Sequence, residues 1–434
     1  MLCCATMELL TDISHLLQQF FEETVRYVRK HSQEVPKRED RMWHVERENG
    51  ERVLNCRPTA SLDYLLFMVN HSKEIEELTP FPQLREEVQS NARISRALLG
   101  TEGRGDVGWF LLFSYSLPII SGLLRALDQG KQLEGEISAR INLLDEFLKK
   151  DTLSVQLYAP LQNFSSTSNK VELADGVSVC VLPDEELEQY LNAFALLSGG
   201  PNPLYFRNLH FQLEGSAEVP RRNPYLPVNE TAFYPKCQSL LRAFRLYRSG
   251  AIRLAFVGGD SKGALGLGSA WMNFPRFEHV FGEEYRFSDA DASAIVDLHS
   301  RLKPLENDQR FELAMRRFMG AYEKPFGGDR LIDYWIALES LLMPEPSAGE
   351  LSYRASLRGA CFISDHERAV VFEHLRNSYK ARSKFVHGVP GEVDGDTVAR
   401  TEAYLRKVLL GCLRLGMTPK REMLDSLVLG QDKP

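Results

Sequence analysis

The chain has 434 residues, 44% of them apolar and 26% charged, which fits a soluble globular protein of two or three domains. Its net charge of −7 excludes nucleic-acid binding through overall charge, so any such surface must be a local basic patch. The seven cysteines (Cys3, Cys4, Cys56, Cys180, Cys237, Cys361 and Cys412) are odd in number and form no C-x-x-C, which argues against a disulfide framework or zinc knuckle and for a reducing, cytoplasmic compartment.

The opening MLCCATMELL lacks a basic stretch and a long apolar core, so it does not read as a secretory signal. From Met7 to Lys30, Leu10, Ile13, Leu17, Phe20 and Tyr27 or Val28 make one face of an amphipathic helix. MWHVERE and ERVLNC come next, joined beside Asn49-Gly50, a hairpin signal. Helical patterns then fill Ser61 to Lys150: SLDYLLFMVNHSKEIEEL, QLREEVQSNARISRALL, VGWFLLFSYSLPIISGLL and EISARINLLDEFLKK. The third carries no charge over its 18 residues, close to the length of a membrane span. Its serines, glycines and Pro118, and the lack of a basic flank, favour a buried helix kinked or interrupted at the proline. No membrane partner is expected.

The texture changes near Asp151. TLSVQLYAPL, KVELADGVSVCVL, LYFRNLHFQLEG and AIRLAFVGG read as strands, with Asp175-Gly176 as a second hairpin turn. PDEELEQYLNAFALL and FYPKCQSLLRAFRLYRS read as helices. GGDSKGALGLGSAWMNF is glycine-rich but has neither phosphate-loop nor dinucleotide spacing, so it reads as a surface loop. From Lys303 onward five helical segments with short connections predict an up-and-down bundle. The expected class is therefore α+β overall: residues 1–150 mostly helical with a hairpin, 151–302 an α+β domain, and 303–430 an all-α helical bundle.

The fourth helix of that bundle carries the chemistry. Ser364-Asp365-His366-Glu367 matches a capping box, predicting a start at about Asp365, and Gly388 with Pro390 gives a stop just past His387. At about 100° per residue, Phe372, Leu375, Tyr379 and Val386 share a core-facing stripe with Arg382 at its edge. Arg376, Lys380, Ser383, Lys384 and His387 form a neighbouring stripe. From His374 to His387 there is no acid, so an acidic protein carries a basic ridge that ends at a histidine. Arg382 and His387 stand about 140° apart on an ideal helix, so they meet one phosphate only by local distortion, by arginine reach, or across a symmetric dimer. Glu339, among Ile332, Trp335, Ile336 and Leu342, needs a cationic partner, for which Arg382 is the candidate; Asp333 is expected to pair with Arg330.

These residue types suit metal-free RNA cleavage. Histidine moves protons near neutrality, and arginine's fixed fork binds phosphate oxygens in pairs. Lysines would guide the backbone. A histidine in a last helical turn also simply favours the helix dipole, and an arginine beside a glutamate is often a plain ion pair.

RFELAMRRFMGAYEKP, DRLIDYWIALESLLMP, ELSYRASLRGACFI and NSYKARSKFVHG, spanning about residues 310–388, resemble the Apea-like branch of the HEPN superfamily. LQNFSSTSNKVELADGVSVCVLPDEE resembles the region that precedes this domain in bacterial members. The resemblance implies a helical bundle, usually a homodimer, and makes Arg382 and His387 the R-x4-6-H catalytic pair of a metal-independent ribonuclease with no cofactor. It also implies a place in toxin–antitoxin, abortive-infection or antiphage systems. Active members often carry Asn, Asp or His after the arginine, where this chain has Ser383. Other members only dimerise and bind nucleotide or RNA.

Overall fold

The computed structural model describes residues 9–99, 105–195, 206, 208–221, 231–260, 282–345, 350–364, 366–388 and 393–430. It is a mixed α+β structure dominated by helices.

A helical layer opens the chain. α1 (Ser14–Lys30) buries Leu17, Phe20, Phe21 and Val28 completely. β1 (Lys37–Glu48) and β2 (Glu51–Leu62) form a regular antiparallel hairpin. Its two-residue turn has φ +52° at Asn49 and +85° at Gly50, the double left-handed geometry that the Asn-Gly pair accommodates. The first predicted helix after the hairpin starts late, because β2 runs on to Leu62 and Asp63 caps α2, and it is two, α2 (Tyr64–Asn70) and α3 (Ser72–Glu76), divided at His71. The second is also two, α4 (Pro80–Ser90) and α5 (Ala92–Leu99), broken where the Asn91 side chain caps α5.

The uncharged stretch is one helical rod from Val107 to Asp128, long and apolar enough to cross a membrane, with 67% of its most apolar window buried against the rest of the chain. It comprises α6 (Val107–Trp109), a π-helical segment (Phe110–Ser116) and α7 (Leu117–Asp128). The widened turns lie just before Pro118, whose missing N–H and bulky ring break the regular hydrogen-bond ladder. α8 (Leu133–Leu148) closes the layer.

A sheet comes next, built around the long strand β3 (Thr152–Gln162). Its order is β5 (Lys170–Glu172), β6 (Ser178–Val181), β7 (Phe211–Pro220), β3, β8 (Arg253–Leu254), and β9 (Gly258–Asp260) also pairs β3. Asp175 and Gly176 both have positive φ in the β5–β6 turn, as their sequence predicts. Two predicted strands are shorter than their patterns: β7 begins only at Phe211, and AIRLAFVGG yields two fragments rather than one strand. Phe206 and Leu209 instead join a second apolar cluster with Tyr158, Tyr190 and Phe256. Most of the glycine-rich stretch lies outside the described residues; Gly258 and Gly259 belong to β9. β4 (Phe164–Ser166) and β10 (Tyr285–Phe287) form a small parallel pair. The helices of this region are α9 (Asp184–Ala195), α10 (Phe233–Tyr247) and α11 (Asp289–Leu302), the last with a full Ser288–Asp291 capping box.

The C-terminal helices are α12 (Gln309–Ala321), α13 (Gly327–Leu342), α14 (Leu351–Ile363), α15 (Arg368–Val386), α16 (Gly395–Leu415) and a short α17 (Arg421–Val428) absent from the sequence expectation of five. α13 packs on α12, α15 and α16, and α14 on α15 and α17. Cys180, Cys237, Cys361 and Cys412 are buried and Cys56 is exposed, and none of the five is in a disulfide.

Candidate functional site at the end of a C-terminal helix

α15 begins at Arg368, later than the predicted Asp365. Ser364 already ends α14, and only half of its capping box forms, with the Glu367 N–H donating to Ser364 Oγ at 2.9 Å. The helix ends as expected: His387 is its C-cap, and Gly388 comes after it at φ +68°, the left-handed geometry of a helix stop.

The inner face of α15 is fixed by α13. Val371 and Leu375 are buried. Ser378 Oγ accepts a hydrogen bond from Trp335 Nε1 (3.1 Å) and donates to the Leu375 carbonyl (3.0 Å), so a buried hydroxyl is satisfied on both sides. The Tyr379 ring meets Trp335 edge-on at 4.9 Å. Sequence periodicity placed Val386 on this face. It is 50% exposed, and Phe385 is the residue that turns inward, because Gly328 on α13 leaves a gap that the Phe385 ring occupies.

Arg382 lies half-buried with its guanidinium 5.5 Å from the Tyr379 ring centre, a cation–π contact. Burial raises the Glu339 carboxyl above its usual range, and the nearby Arg382 charge opposes that rise. Burial also raises Tyr379, with Glu339 adding to the effect and Arg382 opposing it. The three side chains therefore share one electrostatic environment, yet Arg382 and Glu339 do not form the expected ion pair. Glu339 Oε1 and Arg382 Nε are both buried without a hydrogen-bond partner among the described residues. Asp333 pairs with Arg317 (2.9 Å) rather than Arg330, whose Nε donates to the Lys324 carbonyl.

The outer face is as the sequence reads it. Arg376, Lys380, Lys384 and His387 are exposed and Ser383 is half-buried. Among the described residues none of these cations is in an ion pair, which leaves a continuous basic strip. No hydrogen bond joins Arg382 to His387 within one chain. Arg382 faces the tyrosine and glutamate, while the histidine stands at the solvent-facing tip. Among the described residues no cluster of three or more His, Cys, Asp or Glu side chains is arranged to hold a metal ion.

Sequence reasoning missed the Trp335–Ser378 bond and the Gly328–Phe385 contact. A small polar residue opposite a tryptophan, and the Gly327-Gly328 pair opening α13, were the available signals. Comparison of the chain with protein-family models, curated proteins and solved structures finds no match.

Proposed function

We propose that the C-terminal helices carry a HEPN-type ribonuclease centre that cleaves RNA without a metal, in antiphage defence or abortive infection. With no matching relative, the family and its defensive role rest on the residue resemblance over about 310–388. The observation that carries the chemistry is the exposed His387 at the tip of a helix whose outer face presents Arg376, Lys380 and Lys384, unpaired among the described residues. In the reaction the substrate's 2′-hydroxyl loses its proton to a base and its oxygen bonds to phosphorus. The bond to the 5′-oxygen breaks, and that oxygen takes a proton. His387 serves as the acid or base, Arg382 stabilises charge on the phosphorane, and the lysines hold the backbone. Because one chain keeps Arg382 and His387 apart, the reading calls for a twofold dimer in which two α15 tips line one cleft. Purified protein is expected to cleave RNA in EDTA, and Arg382→Ala or His387→Ala to abolish cleavage with an unchanged circular dichroism spectrum. Unchanged cleavage in both variants would remove the assignment.

The inward pose of Arg382, together with Ser383 beside it, favours a second reading: a dimerising RNA-binding module without cleavage. It predicts salt-dependent RNA binding with no product. In either case Lys380→Glu or Lys384→Glu should weaken binding across sequences and lower the salt slope by about 1 per lysine removed. A slope equal to the wild type's would take the ridge out of RNA contact.

A further inference from the structure

We propose that a cleft between the N-terminal helices and the sheet binds a phosphate-bearing small molecule of nucleotide size. The cleft has a volume of about 820 Å³ and lies where α5, the end of α8, the start of β3 and the end of β7 meet. That volume is in the range of ligand pockets, which favour such junctions.

Its floor holds a buried cation. Arg221, 5% exposed, donates from Nη1 to the Ala97 carbonyl (2.6 Å), from Nε to that of Lys150 (2.7 Å) and from Nη2 to that of Leu148 (3.4 Å). Carbonyl dipoles, the Tyr115 hydroxyl and the Phe147 ring 5.6 Å from the guanidinium offset part of the charge, but among the described residues no carboxylate pairs with it. Above it, Arg93 and Arg96 lie one turn apart on α5, both exposed and neither in an ion pair among the described residues. Lys149 also lines the cleft and is tied to Asp145; Asp151 is the one acid among the described lining residues. The lining is therefore strongly cationic around a deep, desolvated positive centre, a setting that draws an anion with several oxygens. Ala92, Ala97 and Leu99 add apolar surface that inorganic phosphate would leave uncovered. Size, charge and apolar wall together call for phosphates attached to a ring system. The inference is independent of the reading of α15.

Calorimetry on the full chain tests it, with ATP, inorganic pyrophosphate and adenosine as separate probes. ATP is expected to bind saturably with Kd below about 100 μM, pyrophosphate more weakly, and adenosine without measurable heat at about 1 mM. The double variant Arg93→Ala/Arg96→Ala, on exposed positions that leave the fold intact, should weaken ATP binding by about tenfold or more. Absence of ATP binding at about 1 mM, or ATP binding unchanged in the double variant, overturns the proposal. Equal affinity for pyrophosphate and ATP overturns its size claim. Single-stranded RNA held by the same two arginines and not displaced by ATP overturns the small-molecule assignment.

Discussion

Glu339 is the least comfortable residue at the site, and its discomfort is informative. Burial lifts its carboxyl above the ordinary value, so the folded state binds that proton more tightly than the unfolded state does. Its contribution therefore favours folding at pH below the ordinary glutamate value, about 4.3, and is lost as pH rises through the folded value. Glu339→Gln should raise stability at neutral pH by about 1 kcal/mol, since it removes a charge whose buried oxygen has no partner among the described residues. Denaturant unfolding at neutral and acidic pH checks this: the gain should shrink toward acid, and a loss of stability at neutral pH would mean that Arg382 neutralises the carboxylate after all. The residue types of this cluster were legible in the sequence. Their pairing was not, because an ion pair depends on the few ångströms by which Arg382 turns toward Tyr379 instead.

At the scale of elements, local turn chemistry carried the most. Asn49-Gly50 and Asp175-Gly176 place their hairpins because positive φ is demanded there and few residues supply it. Helix ends were legible where a glycine stops the chain, as at Gly388, and misjudged where one residue serves two helices, as Ser364 does. Periodicity failed in the last turn of α15, since which of Phe385 and Val386 turns inward is decided by the opposing Gly328 rather than by α15 itself. Gly328→Ala places a methyl where the Phe385 ring lies. It should cost about 1–3 kcal/mol through overpacking and, by shifting the last turn, lower RNA cleavage about tenfold to a hundredfold without touching Arg382 or His387. Melting curves and cleavage rates measured together check both halves, and wild-type values for both would show that the helix tip is not held by this contact.

Across the whole molecule, the sheet region and the C-terminal helices meet at a buried polar joint. Arg245 of α10 donates to the Ile252 carbonyl (2.7 Å) and the Met319 carbonyl (2.8 Å) and lies 4.4 Å from the Tyr322 ring, while Arg406 of α16 donates back to the Arg245 carbonyl (2.9 Å). Sequence patterns separated these regions at about residue 302, but a joint made of backbone carbonyls leaves no pattern to read. The proposed dimer belongs to the same scale. If Arg382 of one chain serves His387 of another, mixing Arg382→Ala with His387→Ala protein should restore part of the lost cleavage, and two variants that stay inactive together would place each pair within its own chain. The most direct measurement is the chemistry of the product ends. RNA incubated with the protein in EDTA should yield 2′,3′-cyclic phosphate and 5′-hydroxyl ends with wild type and none with His387→Ala. Ends bearing a 3′-hydroxyl, or cyclic-phosphate ends formed equally by both proteins, would contradict the account.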